Sequence, residues 1–215
     1  MQSSSSSECD EIRKKLAAIA EEINRCTRCP LHQTRTKTVP GEGDPCQHVV
    51  LIGEAPGQNE DLQGRPFVGA AGQLLTQLLT TNGIQRESVF ITNVVKCRPP
   101  ENRDPLEDEI QACLPFLQQQ LEIIKPRVIV TLGRHSTRTI LGLYGYKTEA
   151  IMSVRGKTFR FNASWGEVKI FPTLHPAAAL YNPRIRSVLE ADFREITRII
   201  KGEGRVGQHT LDSYL

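Results

Sequence analysis

Four side chains that can do chemistry lie at the ends of short apolar runs. Glu54 follows HVVLIG, Asn93 lies near the end of VFITNV, and His135 and His175 come just after RVIVTLG and VKIFPT. A carboxylate can orient water, a carboxamide can donate and accept hydrogen bonds together, and an imidazole can donate to a developing anion. Taken singly, Asn93 could instead satisfy a turn, and His175 could cap a helix.

Two cysteines in RCTRCPLH, Cys26 and Cys29, form a close pair followed by proline. Two thiolates fill only half of a four-coordinate metal site, and the further candidates are the single residues Cys97 and Cys113. Zinc usually takes two close pairs, whereas iron–sulfur clusters tolerate looser spacing and often have a proline after the last cysteine. A thioredoxin-like redox pair is the alternative, but such a pair follows a strand and this one follows a predicted helix. The spacing favours a metal and leaves its identity open.

Apolar runs that alternate with helical patterns must position these side chains. The strand-like runs are 48–53, 89–94, 127–133 and 168–173, and helical periodicity covers 11–24, 70–83, 105–124, 135–143 and 185–201. This alternation predicts an α/β fold, a three-layer αβα sandwich around a mostly parallel four-stranded sheet. Such folds bind ligands at the carboxyl ends of their strands, so we expect Glu54, Asn93 and His175 to converge.

The composition and the start of the sequence argue against a membrane-spanning and a secreted protein. The 215 residues, of which 39% are hydrophobic and 24% charged, fit one globular domain. No run approaches the roughly 20 apolar residues of a membrane span, and the polar start MQSSSSSECD is not a secretion signal. We therefore expect a cytoplasmic monomer without a membrane partner, in which cysteines serve metal binding or catalysis. The net charge of +3 permits a polyanionic partner.

The chain is predicted to divide into a domain and two tails. Residues 1–9 are expected to be a disordered serine-rich tail, 10–201 the folded domain, and 202–215 a flexible tail. Cys9 then lies in the first tail and Cys46 in the polar loop GEGDPCQH, so both are expected to be free thiols.

Several segments together resemble the family 4 uracil-DNA glycosylases, the iron–sulfur branch of their superfamily. The matching segments are CTRCPL, GEAPGQNEDLQGRPFVGAAGQLL, ITNVVKCRPPENRDP, P-x-V-I-V-x-L-G, VRGK and PTLHPAAALYNP, in the expected order. The resemblance implies hydrolysis of the glycosidic bond of deoxyuridine in DNA, as the first step of base excision repair near the nucleoid. It also implies a structural [4Fe–4S] cluster with four ligands: Cys26, Cys29, Cys97 and Cys113.

The resemblance further implies a pocket for a base that has been extruded from the duplex. Phe67 would stack on uracil, with plain core packing as the alternative. Glu60 would wall off C5 and exclude thymine, or else is a solvated carboxylate at the start of a helix. Asn93 would accept from uracil N3–H and donate to O4, a pattern that cytosine reverses.

Two residues would act on the bond that breaks. His175 would donate to uracil O2 and stabilise the leaving anion. Glu54 would stabilise the positively charged sugar and orient the attacking water. Backbone groups of Gly53 and Ala55 would line the same pocket.

DNA itself is the expected partner of the surface around the pocket. Phosphate contacts are expected from Arg98, Arg103 and Arg184, although each could be a solvated surface charge. HPAAALYNPR resembles the family's minor-groove loop, in which Leu180 or Tyr181 would fill the gap left by the flipped base. Two departures from the family affect such contacts or packing: Tyr181 replaces a common arginine, and His135 replaces a common small residue.

The last eight residues, QHTLDSYL, resemble the box that docks proteins on the sliding clamp PCNA. One turn would place Leu211, Tyr214 and Leu215 on one side, with Gln208 beside them, to fill an apolar pocket. The alternative is that these residues pack back on the domain. Clamp binding would favour an archaeal source.

Two other functions fit parts of the pattern. A related branch traps the sugar covalently through a histidine after the asparagine strand, but CRPPENRDPLEDE contains no histidine. A cluster-bearing DNA-binding or redox-sensing subunit without catalysis would leave the pocket residues without a shared role. The sequence therefore predicts a hydrolytic glycosylase.

Overall fold

Strands and helices alternate along the chain, as the apolar runs predict. The structure is a computed structural model that describes residues 6–148 and 150–203. Its strands are β1 (Val49–Gly53), β2 (Phe90–Asn93), β3 (Val128–Leu132), β4 (Phe159–Ala163) and β5 (Gly166–Thr173). Its helices are α1 (Ser6–Arg25), α2 (Gln58–Gln63), α3 (Ala70–Thr81), α4 (Glu107–Ile124), α5 (Arg134–Leu143), α6 (Ile151–Val154) and α7 (Pro183–Lys201).

The five strands form one sheet in the order β2-β1-β3-β5-β4. The first four strands in this order pair in parallel, and β4 pairs antiparallel with β5. The mostly parallel sheet is confirmed, but it has one strand more than predicted. The sequence FRFNA of β4 was missed because it lies at the sheet edge, where only Phe159 and Phe161 are buried. This alternation over five residues is a weak signal.

Helices cover both faces of the sheet and bury two separate cores. Val50 and Ile52 of β1 pack in one core with apolar residues of α1 and α4. Val49 and Leu51 of the same strand pack in the other core with residues of α3 and α7. The three-layer arrangement is thus confirmed, and burial on both faces explains why the central strands are continuously apolar.

Helix α1 begins at Ser6, so the predicted disordered tail overlaps a helix. The buried stripe of α1 runs back from Ile23 to Cys9 at helical spacing, and Cys9 forms a disulfide with Cys46. The prediction of two free thiols is therefore wrong. The residues are 37 positions apart, so only the packing of α1 on the loop before β1 brings them together. A second contact there joins the side chains of Arg13 and Asp44.

Both ends of the chain lie outside the described residues. Residues 1–5 of the predicted first tail belong to this part, as do the four predicted clamp-binding residues Gln208, Leu211, Tyr214 and Leu215. Among the described helices, none combines the length and the apolar character that a membrane crossing requires.

Replacing Cys9 by serine should lower the free energy of unfolding by up to about 4 kcal/mol, because the disulfide restricts the entropy of the unfolded chain. Chemical unfolding without reductant measures the difference. Reductant should bring the wild-type midpoint down to that of Cys9→Ser and leave the variant unchanged. A wild-type midpoint that does not move, although thiol titration shows the bond to be reduced, would contradict this role.

Candidate functional site

Loops that follow the parallel strands bring the predicted polar residues together. Gly53 at the end of β1 is in register with Asn93 at the end of β2, and Glu54 follows directly. Glu54 and His175 line one cavity of about 340 Å³. Its other lining residues include Ala55, Glu60, Phe67, Pro99, Asn102, Arg103 and Asp104. The expected convergence at the carboxyl ends of the strands is therefore observed.

Asn93 lies next to Gly53 and has an unused hydrogen-bond acceptor close to the Phe67 ring. Its side chain is 1% exposed, and its Oδ1 is the one buried side-chain polar atom without a partner in residues 6–148 and 150–203. Leaving such an atom unpaired costs about 1–3 kcal/mol. Gly53 permits the arrangement, because a Cβ at Gly53 would collide with Asn93 Oδ1 and with the ring of Phe67. A ligand that brought a donor to this oxygen would remove that cost.

Phe67 has a backbone conformation that its neighbours enforce. Its φ is +51°, in the left-handed region that a bulky residue seldom adopts. Helix α3 approaches so closely that a Cβ at Gly72 would collide with the Phe67 carbonyl group. The ring centroid lies 5.6 Å from that of His175. Phe67 both belongs to a buried core and lines the cavity, so core packing is observed, and its stacking on uracil stays a prediction.

Glu60 anchors the loop that carries Phe67. Its Oε1 accepts from the amides of Val68 and Gly69, each at 2.8 Å, and its Oε2 accepts from Gly57 N at 3.1 Å. The carboxylate therefore does not lie free in solvent, as one interpretation had it. It lines the cavity from a fixed position, and its role against thymine stays a prediction.

His175 is held in one neutral form. Ala177 N donates to its Nδ1 at 3.1 Å, which places the ring proton on Nε2. Burial lowers the pKa of His175 to about 4, with a smaller opposing effect of Glu60. The imidazole is thus uncharged at neutral pH and has one N–H to donate. The predicted helix-capping contact is present. Because it occupies Nδ1, it leaves the Nε2–H of the ring free to donate to another group.

Glu54 lies half-buried among charged groups. Burial raises its pKa above the ordinary value; His135 and Arg134 oppose this shift, and Asp104 adds to it. His135 Nε2 lies 3.9 Å from Glu54 Oε2.

Some of the residues predicted to contact DNA are bonded to other protein groups, and others are exposed. Arg103 pairs with both carboxylate oxygens of Glu109, at 2.6 and 2.8 Å, so it holds the loop that precedes α4. Arg98 bonds Asn102 Oδ1 at 2.8 Å, and Arg184 is exposed at the start of α7. Leu180 packs against the core, whereas Tyr181 is 94% exposed. The contacts of all five residues with DNA stay predictions.

Four cysteines line a second cavity, between the end of α1, the loop after β2, and α4. They are Cys26, Cys29, Cys97 and Cys113, and all four are free thiols. Burial raises the pKa of the Cys29, Cys97 and Cys113 thiols, the last to about 11, and Arg35 and Lys96 oppose this effect at Cys97 and Cys113. Arg35 Nη1 donates to Cys97 Sγ at 3.2 Å, and Lys96 N donates to Cys113 Sγ at 3.3 Å.

The four sulfurs surround a small cavity of about 10 Å³ without forming a tight group. No three of these sulfurs lie within 4.8 Å of one another in the described part of the chain. Four sulfurs around a single zinc ion would be about 3.8 Å apart, given Zn–S bonds of about 2.3 Å. An all-thiolate set at larger separations fits a polynuclear cluster.

Lys96 connects the cysteine cavity to Asn93. Its buried Nζ donates to Thr92 Oγ1 at 2.6 Å, to Asn93 O at 2.7 Å and to Gln120 Oε1 at 2.7 Å. Its backbone amide contacts Cys113. Sequence reasoning missed this residue, and the one available signal was a charge within the apolar run NVVKC.

Several known proteins have sequences similar to this chain. Residues 40–198 match the model of the uracil DNA glycosylase superfamily. A type-4 uracil-DNA glycosylase of Sulfurisphaera tokodaii is 53% identical over 201 residues, 93% of this chain and 90% of that protein. Proteins of the same name from Saccharolobus solfataricus and Archaeoglobus fulgidus are 51% and 46% identical, over 93% and 94% of this chain and 91% and 100% of their own lengths.

Cys113→Ser should lose most of the bound iron and of the visible absorption of a thiolate-ligated cluster, because one of four ligands is removed. Iron content and the absorption spectrum of the purified chain measure the loss. Cys46→Ser is the matched control, since Cys46 lies outside the cavity, and it should keep both. Equal iron in Cys113→Ser and wild type would contradict the assignment of this ligand.

Proposed function

Because this chain belongs to the uracil DNA glycosylase superfamily, we propose that it hydrolyses the N-glycosidic bond of deoxyuridine in DNA. The products are free uracil and an abasic site, with which base excision repair begins. The observation that carries the proposal is the unpaired, buried Oδ1 of Asn93 beside the ring of Phe67. The names of the similar proteins support the same substrate.

Asn93 provides the basis for selecting uracil. The nucleotide must leave the base stack, at a cost of a few kcal/mol, before its base enters the cavity. Phe67 then offers a flat apolar surface, and Asn93 Oδ1 accepts from uracil N3–H. Cytosine has an acceptor at N3, so it leaves Oδ1 unpaired and loses about 1–3 kcal/mol. Glu60, fixed beside Phe67, is the proposed barrier to the methyl group of thymine.

His175 and Glu54 act on opposite charges that develop as the bond breaks. The Nε2–H of neutral His175 donates to uracil O2 and stabilises the leaving anion. Since the pKa of His175 is about 4, this form persists from neutral pH down to mildly acidic pH. Ionised Glu54 stabilises the positive charge on the sugar and orients the attacking water. Backbone groups of Gly53 and Ala55 complete the pocket.

The four-cysteine cavity is proposed to hold a [4Fe–4S] cluster through Cys26, Cys29, Cys97 and Cys113. Bound there, the cluster would tie three distant segments together and thereby supply structural support. Lys96, which contacts both Cys113 and Asn93, would thereby also fix the end of β2, where Asn93 lies. The residues of the cavity next to Phe67 perform the hydrolysis.

DNA and a sliding clamp are the proposed partners of this monomer, which would act in the cytoplasm at the nucleoid. Arg98, Arg103 and Arg184 would contact phosphates, and the exposed Tyr181 would enter the gap left by the flipped base, next to Leu180. The tail residues Gln208, Leu211, Tyr214 and Leu215 would dock on PCNA.

Asn93→Asp should excise uracil at least about tenfold more slowly and discriminate less between uracil and cytosine, because a carboxyl group changes the donor and acceptor pattern. Oligonucleotides with one uracil, or one cytosine at the same position, are treated with enzyme and then with alkali to reveal abasic sites. Asn82→Asp, at the far end of α3, is the matched control and should behave as wild type.

Three outcomes of this assay separate the candidate functions. Alkali-labile sites with the wild type support hydrolysis, whereas an adduct that survives denaturant would indicate a covalent trap. Neither product would indicate a DNA-binding subunit without catalysis. An unchanged uracil-to-cytosine ratio in Asn93→Asp would remove Asn93 from base recognition.

Deletion of residues 208–215 should abolish binding to PCNA and leave uracil excision intact, because these residues follow the predicted catalytic domain, residues 10–201. Calorimetric titration with purified PCNA measures the affinity. A chain with the same eight residues in scrambled order is the control and should also fail to bind. Equal affinity of the truncated and full-length chains would exclude the tail as the docking site.

A further inference from the structure

His135 lies beside Glu54 and has no part in the proposed mechanism. It belongs to the first turn of α5, directly after β3, and faces the loop that precedes α4. Its Nε2 is 3.1 Å from Asp104 Oδ2 and 3.9 Å from Glu54 Oε2. Two carboxylates and one imidazole nitrogen thus meet at the rim of the cavity.

Arg134 competes for the same nitrogen of His135. Its Nε lies 2.9 Å from His135 Nε2 and can donate only if this nitrogen carries no proton. Arg134 also pairs with Asp104. If Nε2 carries a proton, it donates to Asp104 instead, and when Nδ1 is protonated as well, the imidazolium places a positive charge next to Glu54. The protonation state of one nitrogen therefore selects between two contacts that exclude each other.

We propose that His135 is a positioning residue whose protonated form keeps Glu54 ionised, and that Asp104 acts in the opposite direction. The inference deepens the proposed function, on which it rests, because ionised Glu54 is the form that stabilises the sugar cation. The charged groups that face Glu54 are His135 and Arg134 of α5 and Asp104 of the loop before α4.

The electrostatics of Glu54 agree with this arrangement. Burial raises its pKa, which disfavours the ionised form; the His135 charge offsets this effect and the Asp104 charge reinforces it. A group that must be ionised loses activity as pH falls through its pKa. The acid limb of the excision rate should therefore report Glu54, and the two neighbours should shift this limb in opposite directions.

The test is the pH dependence of single-turnover uracil excision by the full-length, cluster-loaded chain. His135→Gln removes the cation and should move the acid limb up by roughly one pH unit, the effect of a unit charge about 4 Å away in a solvated setting. Asp104→Asn should move it down. His135→Lys keeps a cation and should restore the wild-type limb. Each variant should differ from the wild type less at high pH, where Glu54 is ionised in all of them, than in the acid limb.

Arg138→Gln is the matched control, because it removes a charge from the same helix that faces Glu107 instead of Glu54. Its acid limb should coincide with that of the wild type. A coincident limb for His135→Gln, or a uniform loss of rate without a shift, would overturn the proposal.

A second measurement separates this inference from the proposed function. Carbon-13 NMR titration of the Glu54 carboxylate, assigned through Glu54→Gln, does not depend on turnover. Its midpoint should rise in His135→Gln and fall in Asp104→Asn, and equal midpoints would overturn the role of His135. A wild type that releases no uracil but shows these shifts would refute the proposed function alone.

Discussion

The site depends on one constraint: the buried Oδ1 of Asn93 has no hydrogen-bond partner. Keeping Asn93 Oδ1 unpaired is costly, so the surroundings must prevent it from turning toward another group. Gly53 gives it room, and Phe67, held in a left-handed conformation, closes the space above it. Lys96 fixes the backbone carbonyl of Asn93 from below. In the proposed function, this loss of stability at one position keeps an acceptor ready for a base.

A short segment of the chain connects the cysteine cavity to the Asn93 acceptor. Between Asn93 and Cys97 run only three residues, and one of them, Lys96, contacts both Asn93 and Cys113. Buried thiols with raised pKa values are poorly suited to carry charge by themselves, so a bound cluster would lower the free energy of this arrangement. Its contribution to catalysis would then be the exact placement of β2, which also explains why the two sites lie on neighbouring loops.

A feature of this structure could be predicted from the sequence when a strong pattern within a short segment creates it. The central strands are apolar on both faces, and parallel strands place their carboxyl ends together, so both the sheet and the convergence of Glu54, Asn93 and His175 were predictable. Edge strand β4 alternates over five residues and gave too weak a pattern. The Cys9–Cys46 disulfide and the Asp104–His135 contact join residues 37 and 31 positions apart, and only tertiary packing creates them.

The most direct test of the central claim is a crystal structure of the chain with free uracil. We expect uracil against Phe67, with N3 about 2.7–3.2 Å from Asn93 Oδ1 and O2 facing His175 Nε2. Uracil bound elsewhere, or an Asn93 Oδ1 already bonded to a protein group, would contradict it.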